Sequence, residues 1–170
     1  SSTLDATGQR LFVILSSAPN TPTVVGIVNL TGKAPMKTIA EETPSVDDIL
    51  VGMHWDAKTN SLLGITADQQ EGLMLHSLSI DGDGKWAPPK KLGGVPSSWN
   101  ALYGNEATVS TFDPLTRSIY FLAGTHDGQG NIVSEDLAAV NVDDAKVVSH
   151  PALSPIGLGG SGLQALAMAG

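Results

Sequence analysis

The sequence predicts a single all-β domain of three tandem units, each a four-stranded antiparallel sheet. Three observations lead to this fold class: a repeated aspartate-led turn, apolar segments that alternate with polar residues, and scattered turn residues. The 19 glycines and 10 prolines follow no period, so they indicate many short strands joined by turns. No segment shows a 3.6-residue apolar period, and we therefore expect almost no helix.

The repeated turn defines the unit. Asp5, Asp56 and Asp113 each open a seven-residue window that passes through polar residues into an apolar run, at separations of 51 and 57 residues. An aspartate at this place accepts hydrogen bonds from backbone N–H groups ahead of it, and Gly8 or Asn60 tolerates a left-handed conformation. The three aspartates predict structural hairpin turns between the first and second strands of each unit.

Downstream segments recur in the same order. Second strands are expected at 11–15, 62–65 and 119–122, third strands at 24–30, 73–80 and 137–142, and proline-tolerant fourth strands at 34–40, 86–92 and 147–153. Links lead into first strands at 49–55, 108–112 and 163–169. The predicted organisation is one segment, 1–170, with units at approximately 1–41, 49–92 and 108–153, and with 163–170 as the first strand of a following unit.

Four-stranded units recurring in tandem resemble the blades of a β-propeller. The resemblance is carried by hairpins of the pattern Asp-x-x-Thr/Gly-Asn/Gly-x-Leu, as at 56–62, and it is architectural, because no family signature accompanies it. It implies that the three units are part of a larger ring, since propellers have roughly four to eight blades. A β-sandwich of about twelve strands stays open as the alternative fold.

Composition excludes several classes of partner. The net charge is −8 and the nine basic residues do not form a patch, so we expect neither nucleic-acid binding nor adsorption to an anionic membrane. No apolar run approaches the roughly 20 residues that cross a bilayer. There is no cysteine, which removes disulfides and thiolate chemistry. The compartment stays open, with a soluble secreted or extracellular location favoured.

Two neighbouring loops of the third unit hold the candidate ligand site. Aromatic and amide side chains together can stack on a sugar ring and hydrogen-bond its hydroxyls. The alternative, which we favour, is ordinary loop packing with the aromatic rings between units. The residues concerned are Trp99, Asn100, Tyr103, Asn105 and Glu106 in the link expected at 93–107, and His126, Asp127 and Asn131 in the adjacent loop expected at 124–134.

No catalytic or metal-binding set is predicted. Alternation places His54 and Asp56 on one strand face, and we expect His54 to brace the hairpin aspartate rather than bind a metal. The segments 81–84 and 126–131 are interpreted as glycine turns, because they lack the other ligands of a calcium loop. Asn29 begins a glycosylation sequon, Asn-Leu-Thr, at a strand end.

The leading functional hypothesis is a non-catalytic protein-binding or structural propeller module without a cofactor. Its partners would be other protein chains or missing blades of the same chain. Enzymatic activity is left open, although the residues argue against it. Two alternatives remain: a carbohydrate-binding propeller, and a metal-dependent propeller hydrolase or lactonase with ligands drawn from Glu106, Asn105, Asn100 and His54.

Overall fold

The protein is all-β in the part of the chain that the structure describes. The computed structural model describes residues 2–15, 24–32, 36–40, 50–68, 72–99, 101–102, 110–129 and 132–153. These residues form three antiparallel sheets, each built on four strands consecutive in the chain, and they include no helix. The expected all-β class and the expected three sheets are confirmed.

Sheets 1 and 2 are simple meanders. Sheet 1 runs in the order β1 (Ser2–Asp5), β2 (Arg10–Leu15), β3 (Val24–Asn29) and β4 (Lys37–Ala40). Sheet 2 runs in the order β5 (Leu50–Asp56), β6 (Ser61–Asp68), β7 (Gly72–Ser79) and β8 (Lys90–Lys91). In both sheets the apolar runs of the sequence are the second and third strands, because β-branched and leucine side chains fit a half-buried pleated surface.

Sheet 3 is a meander with two short additions. Its main strands are β10 (Ser110–Asp113), β11 (Ser118–His126), β12 (Ile132–Asn141) and β13 (Lys146–Ser149). The additions are β9 (Ala101–Leu102), which pairs with β11, and β14 (Ala152–Leu153), which pairs with β12. The sequence placed 93–107 in a link, and β9 escaped notice because two residues cannot display an alternating pattern.

The long loop expected at 124–134 is mostly strand. β11 continues to His126 and β12 begins at Ile132. The register shifts between Thr125 and His126, and the two strands stay paired beyond that point. A bulge absorbs one extra residue and lets two strands stay paired beyond an irregular point. His126 is therefore the last residue of a strand and not a loop residue. The strand expected at 163–169 lies outside the described residues.

The three sheets pack face to face with sheet 2 in the middle. Phe12 and Val25 of sheet 1 share a core with Met53, Leu62 and Leu78 of sheet 2. A second core joins sheets 2 and 3, and its largest members are Leu63, Ile65, Leu75, Ile119, Phe121 and Val140. Residues 61–66 of β6 are all buried, because both faces of this strand are covered. Burial on both faces explains why the apolar run 62–65 does not alternate.

The stacking repeats from sheet to sheet. The residue six positions after the hairpin aspartate faces the preceding sheet, as Leu62 and Ile119 do, and the next residue faces the following sheet, as Phe12 and Leu63 do. The first strands are neighbours, with β5 lying between β1 and β10. The backbone N–H of Trp55 donates to Thr3 Oγ1 at 3.2 Å across the first of these contacts.

Candidate functional site

The hairpin aspartates share one turn geometry. Asp5, Asp56 and Asp113 end the first strands, are buried, and pair with the residue five positions later across a four-residue loop. Each carboxylate accepts a backbone N–H of its own loop, from Gly8 (2.9 Å), Lys58 (3.1 Å) and Leu115 (2.9 Å) respectively. These bonds satisfy loop N–H groups that have no partner in the ladder.

The left-handed residue lies four positions after the aspartate in each turn. Asn60 has φ 50° as expected, and Gln9 and Arg117 have φ 50° and 58°. The expectation for Gly8 is wrong, since the left-handed residue of the first turn is its neighbour Gln9. A Cβ at position 8 would stand 2.2 Å from Asp5 Oδ2, so the glycine is needed for close approach of the carboxylate.

A fourth turn of the same geometry joins β12 to β13. Asn141 takes the place of the aspartate, and its Oδ1 accepts the N–H groups of Asp143 (2.9 Å) and Asp144 (3.3 Å). Ala145, four positions later, has φ 57°. The sequence predicts a tight polar turn at 143–146, and the structure adds that Asn141 holds the aspartate position of this turn.

Arg117 links two sheets by its side chain. Its guanidinium Nη1 donates to Asp56 Oδ1 at 2.5 Å, and Nη2 donates to Asp143 Oδ1 at 2.8 Å. The side chain of Asp56 is 1% exposed. Burial by itself would raise the pKa of Asp56, but hydrogen bonds from Arg117 and Thr59 outweigh it and lower the pKa below its usual value. Both carboxylates raise the pKa of Arg117, so the ion pair is fully charged near neutral pH.

Sheets 1 and 2 are joined by a ring stack beneath an arginine. Phe12 stacks on Trp55 with centroids 5.0 Å apart, and the guanidinium carbon of Arg10 lies 4.9 Å from the Trp55 centroid. Arg10 also donates to Asp5 Oδ2 through Nε (2.8 Å) and Nη2 (2.6 Å). The hairpin carboxylate and the intersheet stack are thus held by the same side chain, which combines a charged hydrogen bond with a cation–π contact.

His54 forms a further bond between sheets 2 and 3. Its Nε2 lies 3.0 Å from Ser110 Oγ, and both side chains are buried. A bulge at Gly52, with φ 66°, brings the strand so close that a Cβ there would meet Ser110 Oγ at 1.9 Å. Burial lowers the pKa of His54 from 6.5 to about 4, so the ring is neutral at physiological pH. The expected brace to Asp56 is wrong: the partner of His54 is Ser110.

Few of the candidate ligand residues can be placed. Trp99 packs against the core between sheets 2 and 3, its Nε1 donates to Asp136 Oδ2 at 2.6 Å, and its ring meets Phe121 and His150 edge to face. Asp127 is exposed and accepts the N–H of Gln129 at 2.8 Å. The other link and loop candidates lie outside the described residues, namely Asn100, Tyr103, Asn105, Glu106 and Asn131.

Within the described ranges no group of three or more histidine, aspartate or glutamate residues is able to hold a metal ion. Of the proposed hydrolase ligands only His54 is placed, and its Nε2 is engaged with Ser110. The described residues also include no helix that is long and apolar enough to span a bilayer.

The sequon at Asn29 is exposed and forms a small turn. Asn29 Oδ1 accepts the backbone N–H of Thr31 at 3.0 Å and its hydroxyl at 2.8 Å. A side-chain amide that closes a turn with the residue two positions later is common in exposed loops. Glycosylation of Asn29 stays a prediction.

One face of sheet 1 is apolar and has no sheet against it among the described residues. Four of its apolar side chains are Leu4, Leu11, Val13 and Val28, which we call the open face. Leu4 is 53% exposed, and Met36, 42% exposed, lies over Gly26 on the same side. Ile14 and Ile27 on the opposite face pack against sheet 2.

A scan against protein-family models and a search of curated proteins return no match to this chain. The function therefore has to be argued from the sheets and their contacts.

Proposed function

We propose that the chain is a segment of a β-propeller that acts as a non-catalytic structural or protein-binding module. The observation that carries the proposal is the repeated stacking: equivalent positions of successive sheets face the preceding and following neighbours in the same sense. Blades of a propeller are four-stranded meanders arranged radially, with the first strand innermost. The adjacency of β1, β5 and β10 fits that arrangement.

The burial of sheet 2 on both faces favours a propeller over a sandwich. A two-layer sandwich buries the inner face of each sheet and leaves the outer face to solvent. Sheet 2 instead contributes Leu62 and Leu78 to one core and Leu63 and Ile65 to the other. Sheet 3 packs on sheet 2 in the same sense as sheet 2 packs on sheet 1. In a propeller the same packing is repeated from blade to blade around the ring.

The carbohydrate and hydrolase alternatives remain predictions without an observation in their favour. The indole N–H of Trp99 is bonded to Asp136, and its ring contacts Phe121 and His150, which favours packing over sugar stacking. A melting curve recorded with Ca²⁺ or Zn²⁺ and then with a chelator separates the hydrolase from the scaffold. Stabilisation that the chelator reverses would support the metal enzyme.

The mass of the native protein tests the proposal. Intact mass and light scattering of material purified from its own cells should give a particle larger than the 17.5 kDa of these residues, either as a longer chain or as an assembly. A stable monomer of 17.5 kDa would contradict the proposal, because three blades do not close a ring.

A further inference from the structure

We infer that the open face of sheet 1 is the docking surface for a further four-stranded sheet of the same repeat, lying before sheet 1 in the stack. The inference rests on the proposed function and gives it a particular surface and partner. It follows from comparing three equivalent positions in the three sheets: one in the first strand, one cross-strand pair, and one turn residue.

The position immediately before the hairpin aspartate is the first of these. In sheet 2 it is Trp55, which stacks on Phe12 of the preceding sheet, and in sheet 3 it is Phe112, which packs against the core between sheets 2 and 3. In sheet 1 the same position is Leu4, 53% exposed. All three described sheets have a large apolar side chain at this position, and it lies open in the one sheet that has no preceding sheet among the described residues.

A cross-strand pair of the second and third strands repeats the pattern. Leu62 opposite Leu78 and Ile119 opposite Val140 are fully buried against the preceding sheet. The equivalent pair in sheet 1 is Leu11 opposite Val28, which is half-buried. Apolar surface removed from water contributes roughly 25 cal/mol per Å², so this pair and Leu4 supply the same kind of driving force that joins the described sheets.

The turn residue four positions after the hairpin aspartate differs between the sheets. Arg117 of sheet 3 reaches back to Asp56 of the preceding sheet, whereas Asn60 of sheet 2 donates to Asp81 of its own sheet. Gln9 holds this position in sheet 1, is exposed and has the same left-handed backbone. The apolar sheet face therefore defines the partner, and an arginine in place of Gln9 would add a contact with a hairpin carboxylate of that sheet.

The occupant is a preceding repeat and not the open face of a second copy. Both described interfaces join unlike faces, the following side of one sheet to the preceding side of the next. Pairing two open faces would join like faces and would place two Leu4 positions together without a hairpin carboxylate opposite Gln9. A sheet of the same repeat continues an interface that the molecule already forms twice.

The test adds such a sheet to the intact chain. Residues 50–109, which comprise sheet 2 and its link, are duplicated ahead of Ser2; Ser110 and Ser2 both stand three positions before a hairpin aspartate, so the register is kept. Because the chain has no cysteine, Leu4→Cys introduces a single thiol. We expect this thiol to react with a maleimide about tenfold more slowly in the extended chain than in the 170-residue chain.

Two controls make the result specific. Val133→Cys, at a position that is 64% exposed in sheet 3, should react equally in both chains. Gln9→Arg should raise the Tm of the extended chain by roughly 2–4 °C, by copying the contact of Arg117 with Asp56, and should leave the Tm of the 170-residue chain unchanged.

Equal reactivity of the Leu4→Cys thiol in both chains would overturn the inference. So would protection that appears in the 170-residue chain as its concentration rises, since a second copy would then be the occupant. If the native particle were larger than 17.5 kDa and the Leu4→Cys thiol reacted equally in both chains, the inference would be wrong and the proposed function would still be supported. A native monomer of 17.5 kDa would remove the proposed function itself.

Discussion

The first hairpin and the two later ones hold the same aspartate by different means. In sheets 2 and 3 a threonine three positions later donates its hydroxyl to the carboxylate, from Thr59 at 2.6 Å and from Thr116 at 2.7 Å. In sheet 1 that position is Gly8, and Arg10 supplies the second donor instead. Gly8 and Arg10 belong together, because a side chain at position 8 would occupy the space beside the carboxylate.

This difference shows that the turn needs hydrogen-bond donors to the aspartate carboxylate, and that different residues can supply them. A threonine hydroxyl and the Arg10 guanidinium can both donate to the carboxylate. Only the guanidinium also contacts the neighbouring sheet, where it lies over the Trp55 ring. The later sheets divide these tasks: the threonine completes the turn, and Arg117 crosses to the preceding sheet. Substitutions at Arg117 and Gly8 test this division of roles, and one at His54 tests the other contact between sheets 2 and 3; they are given from the largest expected effect to the smallest.

Arg117→Ala should lower the free energy of unfolding by about 4 kcal/mol, because it leaves the 1%-exposed carboxylate of Asp56 without its charged partner. Urea unfolding at neutral pH measures the change. Gln9→Ala alters the equivalent position of sheet 1, where no charge pair is formed, and should change stability by less than about 0.5 kcal/mol. Similar losses for both variants would show that the position matters through the backbone and not through the ion pair.

The burial of the neutral His54 ring should make folding sensitive to mild acid. The pKa of His54 is about 4 in the folded chain against 6.5 when unfolded, so the unfolded state takes up the proton first. The associated stability is complete above about pH 6.5 and is lost as the pH falls towards 4, by about 3 kcal/mol in all. Urea midpoints measured across that range should fall less steeply in His54→Asn than in the parent chain.

The carboxylates supply an internal check on this pH range. The pKa values of Asp5, Asp56 and Asp113 are lowered in the folded chain from 3.8, so their stabilising contributions are lost only at more acidic pH. His76, also buried and with its pKa lowered by burial, acts in the same direction as His54. If the urea midpoint of the double variant His54→Asn, His76→Asn depended on pH as steeply as that of the parent chain, the acid sensitivity could not be assigned to these histidines.

Gly8→Thr should destabilise the chain by about 2 kcal/mol although it copies the residue of sheets 2 and 3, since its Cβ would collide with Asp5 Oδ2 while Arg10 fills the site. Adding Arg10→Ser completes the pattern of the later hairpins and should recover about 1 kcal/mol. Thermal melts of Gly8→Thr, Arg10→Ser and the double variant measure the coupling. Additive losses would mean that Gly8 and Arg10 are independent.

Local features of this fold were open to prediction from the sequence. The hairpin aspartates, the order of strands and the left-handed Asn60 each depend on residues within a few positions of one another. The assignment of Gly8 failed because glycine is the usual left-handed residue, whereas here its missing side chain makes room for a carboxylate.

The contacts between sheets could not be predicted from the sequence pattern. Arg117 meets Asp56 across 61 positions, and His54 meets Ser110 across 56. Such pairs depend on how the sheets stack, and the sequence alone offered Asp56 as the nearer partner for His54. The open face was not predicted for the same reason, since Leu4 differs from Trp55 and Phe112 in having no sheet packed on it among the described residues.

The central position of sheet 2 also determines the order in which the molecule comes apart. Its strand β6 is covered on both sides, so its amide hydrogens meet solvent only after a flanking sheet has detached. Exchange in β6 therefore reports openings at least as large as the detachment of one flanking sheet. Sheet 1, covered on one side among the described residues, is free to open first and to expose the chain to proteases while the other two sheets remain joined.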